Sequence, residues 1–457
     1  MQCAGARKDN DQYEIKFIIH LPFDVRCLTN VIIQLRDMNI LFVHQNFPGQ
    51  FKHLAPILGA RKENRVVAFT MVQKPQQIPG VQFVRYKPGR NSQKNAHPWV
   101  HDFEAKVIRG HVAMKAARKI RDEYRFVPDV IFAHHGWGES LFLKEIWPKS
   151  PLLLYMEWFY PLAGADVDFD PEFQTGMEET ICRLRAKNAH NLLSMDAADA
   201  GVSPTYWQRD THPAWFKERI EVIHDGIDTR VAKPGPVNQL RLKIPADEAC
   251  CIAEDEVVLT KGDELITFVN RNLEPYRGYH IFMRSLPELL RRRPKAKVVI
   301  VGGNDVSYGA KPEQGTWKQK ILDEVRSDLD MSRVHLVGKI PYTLFLDLLR
   351  MSTVHIYLTY PFVLSWSLLE AMSCGTAVVA SDTEPVREVI TDGENGRLVD
   401  FFALNEIIDR ACELLDDPQQ RARLGKAARE IIVDRYDLRS RCLPRQIDLI
   451  QRVGQGY

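Results

Sequence analysis

The sequence predicts an α/β protein of two parallel-sheet domains that face each other across a cleft, and three observations carry that expectation. Short apolar runs recur from Met38 onward, each bounded by turn residues and followed by an amphipathic segment, the rhythm of βα units whose strands are buried on both faces. A Pro/Gly-rich break, Thr229–Gln239, splits the series into two halves of similar size. The 457 residues, 45% apolar and 26% charged, supply two to three domains at about 150 residues each.

The first 37 residues mix charges, Arg7-Lys8-Asp9-Asn10-Asp11, with short apolar runs and lack the plan of a signal peptide. They read as an N-terminal extension, or as the product of a start upstream of Met38, that adds little to the fold. In the first domain, 38–230, strands are expected at Ile40–His44, Arg65–Thr70, Val81–Tyr86, Val130–Ala133, Leu152–Met156, Gly201–Ser203 and Ile220–Ile223. In the second, 231–429, they are expected at Leu265–Val269, Lys297–Val301, Val334–Val337, Val354–Leu358, Ala377–Ser381 and Gly396–Val399. Tyr279–Arg293, Thr343–Met351, Asn405–Leu415 and Gln419–Arg435 carry helical patterns, and the arginine-rich segment 430–457 is expected to pack back on the first domain. The acidic stretch Ala246–Gly262 reads as an irregular surface loop, and no repeat of solenoid or propeller period is present.

With 61 Lys+Arg against 59 Asp+Glu, the net charge of +2 offers no broad field for nucleic acid, so an anionic ligand must be held locally. The eight cysteines are scattered without a CxxC spacing, which argues against a zinc knuckle, a redox pair or a secreted disulfide scaffold and fits a cytoplasmic protein. No run reaches the ~20 apolar residues of a membrane span. The aromatic and basic residues near His97-Pro98-Trp99 and Trp207–Trp215 read either as a peripheral contact with the inner face of the cell membrane or as scattered surface residues. HExxH, P-loop and GxSxG patterns are all missing.

Ligands of open parallel sheets bind beyond the carboxyl ends of strands, so the strand-following loops hold the candidate site. The first, His44-Gln45-Asn46-Phe47-Pro48-Gly49-Gln50-Phe51, contains a glycine that would let backbone approach a phosphate, or is a plain turn. His134-His135-Gly136-Trp137-Gly138 offers two imidazoles for acid/base work or hydroxyl recognition, or else a structural turn. Leu141 stands where a dinucleotide fingerprint would have its third glycine, which argues against a dehydrogenase. Asp166-Val167-Asp168-Phe169-Asp170 resembles a calcium loop, but Pro171 and Met177 occupy its glycine and glutamate positions, leaving an acidic loop with local turn bonds and no metal site.

In the second half, Asn270–Gly278 places Arg271 and Arg277 in one strand-following loop, where guanidinium groups could clamp a diphosphate or pair with Glu274 on the surface. Gly302-Gly303-Asn304 permits close backbone approach. Near Ser365 a helix N-terminus would offer free N–H groups. Glu370, set among Leu368, Leu369, Ala371 and Met372, is a carboxylate whose burial calls for a specific partner.

These segments, with Arg291–Gly303, Val334–Tyr342 and Leu368–Val399, make the chain from Met38 to about Ser440 resemble a retaining, nucleotide-sugar glycosyltransferase of family 4, with two Rossmann-like domains in the GT-B fold. The resemblance implies an enzyme of the EC 2.4 class. It would transfer a hexosyl-type group from a nucleoside-diphosphate sugar to an acceptor hydroxyl with retention, needing neither a catalytic metal nor a cofactor. It implies catalytic roles for Arg271 and Arg277 on the leaving diphosphate and for His134 on the acceptor side. It implies donor binding by Gly49, Gly302, Gly338, Lys339, Ile340, Leu364, Ser365, Trp366, Ser367 and Glu370, with Glu370 on the ribose, and acceptor orientation by His135 and Glu157. The implied acceptor is a glycan, a lipid-linked glycan or a small molecule, as in polysaccharide biosynthesis.

The family usually has Lys where this chain has Arg277, with a spacing one shorter, and one further departure matters more. The family's first motif glutamate, eight positions before Glu370, falls on Phe362, with Val363, Leu364 and Ser365 after it. Sugar recognition is then expected from Ser365 and the backbone N–H groups of Leu364 to Ser367, and a non-catalytic nucleotide-sugar or glycan-binding protein is the alternative.

Overall fold

The computed structural model describes residues 37–174 and 176–456, and the expected N-terminal extension lies outside them. The first sheet contains β1 (Asn39–Val43), β2 (Arg65–Thr70), β3 (Val81–Arg85), β4 (Val130–His134), β5 (Leu152–Tyr155), β6 (Ala200–Ser203) and β7 (Ile220–Val222). Its order is β3-β2-β1-β4-β5-β6-β7 and every pairing is parallel. Ile40, Leu41, Phe42 and Val43 are all buried because helices cover both faces of the central strand, which is why the strand shows a continuous apolar run rather than an alternation.

An antiparallel ribbon, β8 (Gln239–Ile244) with β9 (Asp255–Thr260), opens the second half. β10 (Leu265–Asn272), β11 (Lys297–Gly303), β12 (Val334–Gly338), β13 (Val354–Tyr357), β14 (Val378–Ser381) and β15 (Arg397–Val399) follow. The second sheet has the order β12-β11-β10-β13-β14-β15, again all parallel.

The ribbon corrects the expectation that Ala246–Gly262 is an irregular loop. QLRLKI alternates exposed and buried residues along β8. That period of two turns Leu240, Leu242 and Ile244 onto Val257 and Leu259 and into the core beneath the second sheet. The acidic residues of β9 occupy the solvent-facing positions.

The chain then returns to the first half. After helix Pro418–Ile431 and two π-helical turns, Ile432–Tyr436 and Leu438–Cys442, helix Leu443–Gly454 lays Leu443, Ile447, Leu449, Ile450 and Val453 against Ile40, Phe42 and Val130 of the first sheet. Its rim is fastened by Arg452 to Glu221 at 2.6 Å. The crossover runs beside the Pro/Gly-rich segment, where Ile227 and Leu438 exchange backbone hydrogen bonds with Tyr436 and Ile227. Asp437 accepts from Thr229 and Arg439 pairs with Asp228 at 3.0 Å. The linker is therefore held by a second chain segment at its start.

Candidate functional site between the two sheets

The carboxyl ends of both sheets meet, and the candidate residues lie on either side of that meeting line. On the first side, Glu157 just beyond β5 is a hub. His44 Nδ1 accepts the backbone N–H of Asn46 at 3.0 Å, and His134 Nδ1 accepts that of Gly136 at 3.1 Å. Each ring therefore carries its proton on Nε2 when neutral. His134 Nε2 donates to Glu157 Oε2 at 3.1 Å, while His44 Nε2 donates to Gln50 Oε1 at 2.9 Å and Gln50 passes a donor to Glu157 Oε1 at 2.8 Å. Burial works to raise the Glu157 carboxyl, but the His134 and Gln50 hydrogen bonds outweigh it and hold the group below the usual carboxylate range. Burial keeps His44 neutral, lowered to about 3. In this arrangement His134 is a donor to Glu157 and has no free ring nitrogen, so the hub's proton acceptor is Glu157.

His135, expected beside the acceptor, is fully buried, with Nδ1 facing the Tyr155 carbonyl at 2.8 Å and Nε2 the Trp158 carbonyl at 3.2 Å. Both nitrogens are turned into the backbone, so the geometry gives it a structural place. Gly49 takes φ of +48°, and a Cβ there would sit 2.5 Å from the His44 ring. The glycine thus leaves room for that imidazole, which in turn fixes Gln50.

On the second side, Arg277 is buried, with Nη1 donating to Thr359 Oγ1 at 2.8 Å, to the Val363 carbonyl at 3.0 Å and to Tyr357 OH at 3.4 Å. All three acceptors are uncharged. Burial opposes the guanidinium charge, yet Tyr357, Tyr308 and Glu274 around it raise its pKa, so it stays a cation. Arg271 lies exposed near the end of β10. The surface pairing with Glu274 does not form. Glu274 is buried and accepts the N–H groups of Ser307 and Tyr308, each at 3.0 Å. Burial pushes its carboxyl up to about 7 against the pull of those bonds and of Arg277 and Arg271.

Ser365 caps helix Trp366–Ser373, its hydroxyl accepting from Ser367 N–H at 3.3 Å. Ser365 N–H goes to Tyr357 OH at 3.0 Å, so two of the N–H groups expected to read a sugar are already engaged. Glu370 faces inward from this helix at 9% exposure and accepts Tyr342 OH at 2.8 Å. Burial raises its carboxyl, opposed by Lys52 and Tyr342. Gly302 is buried near the end of β11 and Gly338 takes φ of +64° at the end of β12. Lys339 is exposed, 3.7 Å from Asp305, and Ile340 packs on the core.

Phe362 closes an aromatic cluster shared by both halves. Its ring centre lies 4.7 Å from that of Trp158 and 4.7 Å from that of Tyr308, and the Arg277 guanidinium sits 5.7 Å from it. An apolar ring thus roofs the buried cation. The acidic loop makes more than the local bonds expected of it. Asp170 accepts the local N–H of Glu172, but also His280 Nε2 at 2.9 Å and Tyr360 OH at 2.6 Å, while Asp166 accepts Tyr276 OH at 3.1 Å. Asp170, Glu172 and His280 lie together, yet Glu172 is held by Arg284 at 2.6 Å and Asp170 by His280, so they fasten the two halves.

Sequence reasoning missed Gln50, Lys52, Asp225 and Tyr342. Gln50 lies within the singled-out Gly49 loop and Lys52 directly follows it, which was a usable signal. Asp225 and Tyr342 acquire their partners only through the fold.

Known proteins resemble this chain along the same two halves. Residues 62–232 match the Glycosyl transferase family 4 group and residues 253–431 match Glycosyl transferases group 1. A D-inositol 3-phosphate glycosyltransferase from Kribbella flavida is 26% identical over 379 residues, covering 80% of each chain. A phosphatidyl-myo-inositol mannosyltransferase from Mycolicibacterium smegmatis is 26% identical over 277 residues, 56% of this chain and 67% of the relative. Among solved structures, a sucrose-phosphate synthase from Thermosynechococcus elongatus has a TM-score of 0.65 at 16% identity, covering 91% of this chain and 98% of its own. Anabaena HepE in complex with UDP-glucose has a TM-score of 0.60 at 18% identity, covering 90% and 98%. The structural likeness establishes the two-domain GT-B architecture.

Proposed function

Because the chain belongs to the family 4 type of GT-B glycosyltransferases, we propose that it transfers a hexosyl group from a nucleoside-diphosphate sugar to an acceptor hydroxyl, with retention and without a catalytic metal. Arg277 is the observation that carries this reading. A buried guanidinium whose hydrogen-bond acceptors are all uncharged keeps its full charge for an anion at the cleft, where positioned charge is worth most.

The donor lies with its ribose on Glu370 and its diphosphate at the capped first turn of helix Trp366–Ser373, between Arg277 and Arg271. The structure of Anabaena HepE in complex with UDP-glucose makes a uridine diphosphate donor the first to test. Glu157, held anionic and oriented by His134 and Gln50, orients the acceptor hydroxyl from the opposite side. The bond from sugar C1 to the phosphate oxygen breaks as the bond from C1 to the acceptor oxygen forms on the same face. The hydroxyl proton passes to the departing phosphate oxygen. The acceptor is a glycan, a lipid-linked glycan or a small hydroxyl compound.

The test is turnover of a panel of nucleoside-diphosphate sugars with candidate acceptors, reading the anomeric configuration of the product by NMR. Retained configuration supports the scheme, and an inverted product overturns it.

A further inference from the structure

We infer that Lys52, from the first domain, completes the donor site by contacting the diphosphate that the second domain's arginines face. This rests on the donor reading above and adds to it a residue of the opposite half. Lys52 follows the Gly49 turn, and its ammonium lies 3.7 Å from the ring centre of Trp366, the first residue of the Ser365-capped helix.

The side chain is half-buried, and among the described residues its ammonium makes no hydrogen bond or ion pair. The indole face takes up charge but satisfies none of the three N–H donors as an oxygen would. Burial lowers the Lys52 ammonium below its usual range, and the pull of Glu370 and Asp225 offsets only part of that without using those donors, so the cation lacks a full counter-charge.

The same helical turn has a second cation. Ser365 N–H meets Tyr357 OH at 3.0 Å, and Tyr357 OH meets Arg277 Nη1 at 3.4 Å. Arg277 thus reaches the turn from inside the second domain and Lys52 from across the cleft. Two cations on two sides of one helix N-terminus suit an anion with two phosphoryl groups better than a single carboxylate. Glu370, on the following turn of that helix, places the nucleoside end.

Calorimetry on the full chain tests this with UDP, GDP and ADP, the matching nucleosides, and the variants Lys52→Met and Lys52→Arg, with melting curves as the control for folding. Lys52→Met is expected to weaken the bound diphosphate about 10-fold or more, the loss of one charged hydrogen bond, while nucleoside affinity stays the same and Lys52→Arg recovers most of the loss. Equal diphosphate affinity in Lys52→Met and wild type would overturn the assignment. So would parallel loss of nucleoside and diphosphate, which marks a structural cation. If wild type binds none of the diphosphates, the donor reading itself falls and the inference with it.

Discussion

Trp366 of the second domain donates its indole N–H to Asp225 of the first at 2.9 Å, and Tyr155 OH donates to the same carboxylate at 2.9 Å. The first residue of the candidate donor helix is thereby fastened to the first domain. Burial pushes Asp225 up to about 6, opposed by those two bonds.

A pH signature follows. An unfolded Asp titrates near ~3.9, so between that value and about 6 the folded state binds more protons than the unfolded one. The Asp225 contribution is fully present below the lower value and is lost as pH rises through the upper. Melting temperatures of wild type and Asp225→Asn, compared from pH 4 to pH 7, should show wild type losing ground to the variant as pH rises. A difference that is flat in pH would contradict the assignment.

The two arginines should separate stability from turnover. Arg271 is exposed, so Arg271→Ala should leave the unfolding free energy within about 0.5 kcal/mol yet lower turnover by ~10²–10³-fold. Arg277→Ala removes three hydrogen bonds from a buried place and should cost both. Nucleoside diphosphate release and denaturant melts on each variant check this.

The hub around Glu157 should behave as a unit. Glu157→Gln and His134→Ala should each lower turnover by roughly 10²-fold, within the range of positioned acid/base groups, and raise KM for the acceptor more than for the donor. The double variant should lose little more than either single one, because the two residues share one hydrogen bond. Additive losses would show that they act separately.

The ribbon should matter to stability. Leu242 is 1% exposed, so Leu242→Ala should destabilise the protein by about 2–5 kcal/mol, read from urea unfolding. A surface loop would show almost none of that.

Strands were legible wherever both faces are covered, since Ile40–Val43 and Val298–Val301 show as unbroken apolar runs. The β8–β9 ribbon was obscured because its acidic, solvent-facing positions in 255–260 dominate the local composition while only alternate residues turn inward. Arg271, Arg277 and Glu370 could be read from motif order. The contacts that give them an environment could not, since Lys52 and Trp366, or Asp225 and Trp366, are far apart in the chain and meet only when two sheets face each other. His135 shows the limit from the other side. A histidine pair after a strand looks alike in sequence, yet one ring faces Glu157 and the other faces backbone carbonyls.

The proposed transfer takes place at the line where the two sheets meet, with Arg277 taking up the leaving group's charge. Its most direct measurement is release of nucleoside diphosphate from a panel of nucleotide sugars, wild type beside Arg277→Ala, with each protein shown to be folded. Release from at least one sugar, accompanied by a glycosylated product, is expected, with a fall of ~10²-fold or more in the variant. Binding of the nucleotide sugar with no release under any acceptor, or equal release by folded Arg277→Ala, would contradict it.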